Sequence, residues 1–267
     1  VTGNSEIDFS GQVAIVTGGT RGLGRLIAER LAARGALVTV CGRTAPDALA
    51  RPVGLPPPLA LPPGVTFRAA DVRDPDAARA LADAVMAEHG RIDVLVNNAG
   101  GSPQAAAATA SPRFFDSIVR LNLHSAMYMA QAVFAHMQPA KSGSIVNIAS
   151  VAGIRPSPMT AAYGAAKAGL LNLTQSLAQE WGPDGVRVNA IIAGLMQTEN
   201  AAATYGDAAA QDAVAHSLPL QRMGTGADIA DAVLWLCSDL ATWVSGARIN
   251  VDGGGERPHF LDLVKGE

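Results

Sequence analysis

Short apolar runs alternate along this chain with longer segments in which apolar and polar positions recur at a helical period. The strand-like runs are Gln12 to Thr17, Leu37 to Cys41, Val65 to Ala69, Ile92 to Val96, Ser144 to Ala149, Val186 to Ile192 and Arg248 to Val251. Helical patterns fill most of the gaps, at about 22–34, 75–89, 112–138, 160–181 and 226–239. Such alternation predicts βαβ units, and hence an α/β fold with a doubly wound parallel sheet covered on both faces. No repeat or linker interrupts it, so residues 1–267 are read as a single domain. One segment breaks the rhythm: Thr44 to Gly64 holds seven of the 16 prolines. No regular helix forms through such a run, and an extended surface loop is expected there.

Composition narrows the partners. Hydrophobic residues make up 49% of the chain and aromatic residues 4%, so Ala, Val, Leu and Ile must fill the core. A net charge of −3 argues against a nucleic-acid binder, which needs a basic face. Cys41 and Cys237 lie far apart in apolar runs, which reads as two buried thiols in a reducing cytoplasm. The first ten residues carry no cationic and apolar leader pattern, and no apolar run approaches the ~18 residues of a membrane span. The five His show no ligand spacing, so no metal is expected.

Two clusters carry chemistry. The first strand runs into Thr17-Gly18-Gly19-Thr20-Arg21-Gly22-Leu23-Gly24 and then an amphipathic helix. Glycines at that junction allow a tight turn and close backbone approach to a pyrophosphate at the helix N-terminus. The second cluster is Tyr163 with Lys167, which share one helix face. Lys167 is one of only three Lys, against 17 Arg, and sits in an Ala-rich run where a solvated Lys is out of place. Bringing a phenol from its ordinary pKa of about 10 to neutrality takes roughly 4 kcal/mol. One ammonium at about 4 Å supplies about that at an effective dielectric near 20. Ser150 ends an apolar strand, where its hydroxyl can position a substrate oxygen. Asn122 interrupts a long apolar helix pattern, where Asn is unfavourable.

With these residues in order, from Gly11 to Gly254, the chain resembles the short-chain dehydrogenase/reductase superfamily in its single-domain branch. The carrying motifs are TGxxxGxG at 17–24, Asp71-Val72, Asn97-Asn98-Ala99-Gly100, Asn122, Ser150, Tyr163 with Lys167, and Val251-Asp252-Gly253-Gly254. The resemblance implies a Rossmann fold, with a cofactor half at 11–100 and a catalytic and substrate half at 101–267. It implies Asn122, Ser150, Tyr163 and Lys167 as the catalytic set. Tyr163 would be the general acid/base, Lys167 would also hold the nicotinamide ribose, and Asn122 would hold a helix kink and a water leading to Lys167. Cofactor contacts are implied for Gly18, Thr20, Arg21, Gly22, Leu23, Gly24, Arg43, Asp71, Val72, Asn98, Ala99, Gly100, Tyr163, Lys167, Gly194, Met196 and Thr198. The chain departs from the family at Ala193, where Pro is usual, which puts the rigidity of that turn in question.

Cofactor choice follows from charge. No Asp or Glu lies between Val38 and Thr44 to take a ribose 2′-hydroxyl, whereas Arg43 and Arg21 suit a 2′-phosphate. NADP(H) is therefore expected, with Asp71 accepting from the adenine amino group or serving as an ordinary helix cap. The substrate is expected to be a small to medium, largely apolar carbonyl compound or secondary alcohol. Its pocket is expected from Ser102, Pro103, Gln104, Ala152, Ile154 and Arg155, with a mobile lid at about 199–222. Arg155 reads either as an anchor for an acidic group or as a solvated cation. Carrier-bound 3-oxoacyl substrates are the alternative. The family's carrier-docking Arg positions correspond to Ala135 and Gln179, and no Lys or Arg lies between Asn122 and Gln138. A non-catalytic nucleotide-sensing regulator is a further alternative. The family also implies a homotetramer built on the helices at 112–138 and 160–181, which carry surplus apolar positions.

Overall fold

The computed structural model describes residues 7–45, 60–199 and 201–258, together with 260 and 264. Most of the proline-rich segment, 46–59, lies outside the described residues. The strands are β1 Val13–Thr17, β2 Leu37–Gly42, β3 Val65–Ala69, β4 Val94–Asn97, β5 Gly143–Ser150, β6 Val186–Ala193 and β7 Arg248–Val251. All pair in parallel, in the order β3-β2-β1-β4-β5-β6-β7. The sheet is doubly wound, as the alternating pattern predicts, and every predicted strand is present with bounds within two residues.

Side chains along β1 alternate between two cores. Ala14 and Val16 pack with α1 (Gly22–Ala32) and α8 (Gly226–Cys237) on one face. Val13 and Ile15 pack on the other face with α2 (Pro75–His89), α4 (Ser125–Ala140) and α5 (Ala161–Trp181). Each large side chain so buried stabilises the fold by about 1.5–3 kcal/mol. Local signals set the helix ends. Asp74 caps α2 by accepting from the Asp76 N–H, Pro75 occupies its first turn, and Gly90 ends it at φ +73°. Thr225 and Asp228 form a reciprocal capping box on α8.

Two elements take a more detailed form than the sequence reading gave them. The single helix expected over 112–138 is α3 (Pro112–Val119) joined to α4 through a π-helical turn at Arg120–His124. The segment expected as a lid holds two short helices, α6 (Ala201–Tyr205) and α7 (Ala208–Ser217), and α7 buries none of its residues. No described helix is long and apolar enough to cross a membrane.

Candidate active site

The chain winds outward from β1 to β3 and returns at β4, so the connections leaving β1 and β4 diverge and open a crevice at the strand ends. That cleft holds about 1160 Å³, and every cofactor position named from the sequence lines it, from Gly18 and Arg21 through Asp71 and Asn98 to Thr198. The first turn of α1 faces it with no acidic residue and no side-chain cap. Its leading N–H groups and the positive end of the helix dipole fit a pyrophosphate. Gly24 is required for a different reason: a Cβ there would lie 2.3 Å from Asn98 Nδ2 and 2.5 Å from the Gly18 carbonyl oxygen.

Asn98 braces this loop. Its amide donates to the carbonyl oxygens of Thr17 at 2.9 Å and Gly18 at 3.3 Å. Thr17, read from the sequence only as the first residue of the TGxxxGxG run, accepts from the N–H groups of Asn98 at 3.0 Å and Ala99 at 2.9 Å. A β-branched residue at a strand end gives no signal of that role.

The end of the cleft beside β2 and β3 is more cationic than expected. Arg73 lines it beside Arg21 and Arg43, and its guanidinium grips Asp71 through both carboxylate oxygens, at 2.8 and 2.6 Å. This contact, with help from Arg43, holds the Asp71 carboxyl below its ordinary range. Asp71 is thus partnered by a neighbouring cation.

At the other end, β5 delivers Ser150, whose hydroxyl accepts from the Ala152 N–H at 3.2 Å. The first turns of α5 deliver Tyr163 and Lys167. Lys167 is buried, donates to the Ile148 carbonyl at 2.7 Å, and lies 5.6 Å from the centre of the Tyr163 ring. Burial pushes its pKa down to about 8. The expected depression of the Tyr163 phenol does not occur in this state. Burial raises its pKa, a hydrogen bond with Ser150 works in the opposite direction, and nearby Tyr205 adds to the rise. The ammonium sits over the ring and donates to Ile148, and it is not among the causes that move the phenol.

Asn122 stands in the π-helical turn behind this wall. Its amide nitrogen donates to Ile118 and Gly101 carbonyls, both at 2.9 Å, and its oxygen accepts from the Gly101 N–H at 2.8 Å. It therefore ties the widened turn to the loop after β4. The Ala193 departure leaves that turn ordered. Ala193 stays in register with Ser150 and Val251, and the Gly194 N–H donates to the Val251 carbonyl at 3.0 Å. A Cβ on Gly194 would lie 2.5 Å from Asp252 Cα, so the close approach replaces the ring constraint of proline.

Around Ser150 and Tyr163 the cleft is bounded by Ser102, Gln104, Ala152, Arg155 and Leu195, with Ser157, Thr160, Thr204 and Tyr205 adding hydroxyls. Ile154 is half exposed. Tyr205, unrecognised in the sequence, accepts from the Met196 N–H at 3.3 Å. Among the described residues no group of His, Cys, Asp or Glu is arranged to hold a metal. Cys41 and Cys237 are buried, their thiols pushed up to about 12.

Comparison with known proteins agrees with this geometry. A family profile described as enoyl-(acyl carrier protein) reductase matches residues 18–256. The 3-oxoacyl-(acyl-carrier-protein) reductase FabG of Escherichia coli is 34% identical over 250 residues, covering 93% of this chain and 98% of that protein. The D-threitol dehydrogenase of Mycolicibacterium smegmatis is 38% identical over 251 residues, covering 93% and 95%. The crystal structure of levodione reductase superposes with a TM-score of 0.81 at 31% identity, covering 92% of this chain and 98% of that one. A match of this extent, on a doubly wound sheet whose switch-point cleft carries the motifs in order, makes the chain an oxidoreductase of the short-chain dehydrogenase/reductase superfamily.

Proposed function

We propose that this protein transfers a hydride between NADP(H) and the carbonyl or secondary alcohol of a small to medium, largely apolar substrate, with Tyr163 as general acid/base. The observation that carries this reading is the convergence of Ser150, Tyr163 and the buried Lys167 at one end of the cleft, opposite the three Arg at its other end. A nicotinamide dinucleotide held by the Gly loop and Lys167 would supply the hydride. Tyr163 then gives its proton to the carbonyl oxygen in reduction and takes it back in oxidation, while Ser150 fixes that oxygen by hydrogen bonding. A panel of ketones, secondary alcohols and polyols, D-threitol included, assayed with NADPH and NADH, tests the reading. Absence of turnover across the panel would sink it.

The similarity to FabG favours a second reading, reduction of 3-oxoacyl thioesters. Against it, Ala135 and Gln179 are exposed and uncharged where a carrier would need cations. An acetoacetyl thioester on carrier protein, run beside small ketones, separates the two.

Arg43→Asp should reverse cofactor preference, lowering the NADPH/NADH affinity ratio by at least about tenfold, because repulsion replaces attraction at the 2′-phosphate. Titration of both cofactors checks this. An unchanged ratio would remove Arg43 from the phosphate site.

A homotetramer is the expected assembly. Phe115 on α3 is exposed, and Met127 and Tyr128 on α4 are only partly covered. Phe134 contributes less than expected, because it stacks on Trp181 of its own chain at 4.2 Å. Light scattering at micromolar concentration should report four subunits, and a monomer would contradict this.

A further inference from the structure

Of the charged groups that line the described cleft, Arg155 stands at the substrate end, on the turn that follows β5. Its guanidinium is already engaged. Nε pairs with the Glu256 carboxylate, which comes from the segment after β7, and Nη1 donates to the Pro156 carbonyl at 3.1 Å. Both partners of the ion pair are a little over one-third exposed, at 37% and 38%, so solvent reaches the pair, and Arg155 itself lines the cleft. Tyr205 stands close enough to feel both charges, Glu256 raising its phenol pKa and Arg155 lowering it, beneath a larger rise from burial. Its phenol also acts on Tyr163. The turn after β5, the end of α6 and the segment after β7 therefore meet beside the reacting groups. Arg155 alone would make this end attractive to a carboxylate or phosphate. With Glu256 in place, an anionic substrate must displace a tethered carboxylate whose effective concentration is high.

We propose that Glu256 is a resident counter-ion that occupies Arg155 and so sets the site against anionic substrates, selecting uncharged carbonyl compounds and alcohols. The inference rests on the carbonyl/alcohol reading above and adds a specificity-determining pair to it. Discrimination arises from the repulsive partner as much as from the attractive one.

Levulinate and its methyl ester are a matched probe pair, one anionic and one neutral, to be reduced by the NADPH-loaded wild type, Glu256→Gln, and the double variant Glu256→Gln/Arg155→Met. The ratio of kcat/KM for levulinate to that for the ester should rise about tenfold in Glu256→Gln, the effect of one charge-assisted contact. It should return to near the wild-type value in the double variant. The rise should also shrink at high salt. An unchanged ratio in Glu256→Gln, or a rise that survives loss of Arg155, would overturn the proposal. Calorimetric titration of levulinate into the same cofactor-loaded proteins reads the selectivity without catalysis. Tighter binding in Glu256→Gln that is lost in the double variant would uphold the pair even if no probe is reduced, a result that would count against the reaction. Reduction of the ester with no change in levulinate binding or ratio would uphold the reaction and refute the pair.

Discussion

Tyr163→Phe should lower kcat by at least about a hundredfold while cofactor affinity stays near the wild-type value. The substitution removes one oxygen from a ring whose position is set by α5, so the cleft keeps its shape and loses its proton donor. Burial holds the phenol protonated at neutral pH, which is the form reduction requires. Oxidation requires the phenolate, so alcohol oxidation should accelerate as pH rises through the alkaline range while reduction at neutral pH stays flat. Retention of more than about a tenth of the activity would remove Tyr163 from the acid/base role.

Lys167→Met should separate stability from activity. In the folded protein the ammonium titrates at about 8, against 10.5 when unperturbed. Between those values the unfolded chain holds a proton that the folded chain has released, so the group makes stability rise with pH across that window. Below about pH 8 both states are charged, and the full cost of burying the ammonium is present. Met at this position relieves roughly 3 kcal/mol of that cost. It forfeits roughly 1 kcal/mol by leaving the Ile148 carbonyl without its donor. The variant should therefore be more stable near neutrality by about 2 kcal/mol, and it should lose the upward slope of stability in alkaline solution. Its activity should fall by about two orders of magnitude, because the cation that orders the reacting end is gone. Thermal unfolding of both proteins from neutral to alkaline pH checks this. A destabilised variant at neutral pH would mean that the hydrogen bond to Ile148 outweighs desolvation.

The sequence made the sheet legible because buried parallel strands are written as continuous apolar runs, of which β1 is the clearest, with all five residues buried. Lys167 was legible by contrast, as a lone Lys in an Ala-rich helix of an Arg-rich chain. Asn122 was legible as a polar residue in an apolar pattern, and the family resemblance implied a helix kink there, but not its π-helical form. Arg120 to His124 suit an α-helix, and the extra residue is accommodated through tertiary bonds to Gly101. Arg73 went unread because a cation two residues from Asp71 looks like a solvated pair until both are seen on one wall. The coupling of Arg155 to Glu256 leaves no local trace, since it joins the connections after two different strands. The direction of the Tyr163 shift was misjudged for a related reason: spacing on a helix brings Lys167 near the ring but does not say where the ammonium points.

Isotope transfer tests the central claim most directly. Wild-type protein and Tyr163→Phe would be supplied with NADPH deuterated at the transferring position of the nicotinamide and with the best ketone of the panel, and the alcohol examined by mass spectrometry. The expected result is one deuterium on the carbinol carbon of the wild-type product, with product from Tyr163→Phe accumulating at least about a hundredfold more slowly. Alcohol lacking the deuterium, or equal accumulation with the two proteins, would contradict hydride transfer assisted by Tyr163.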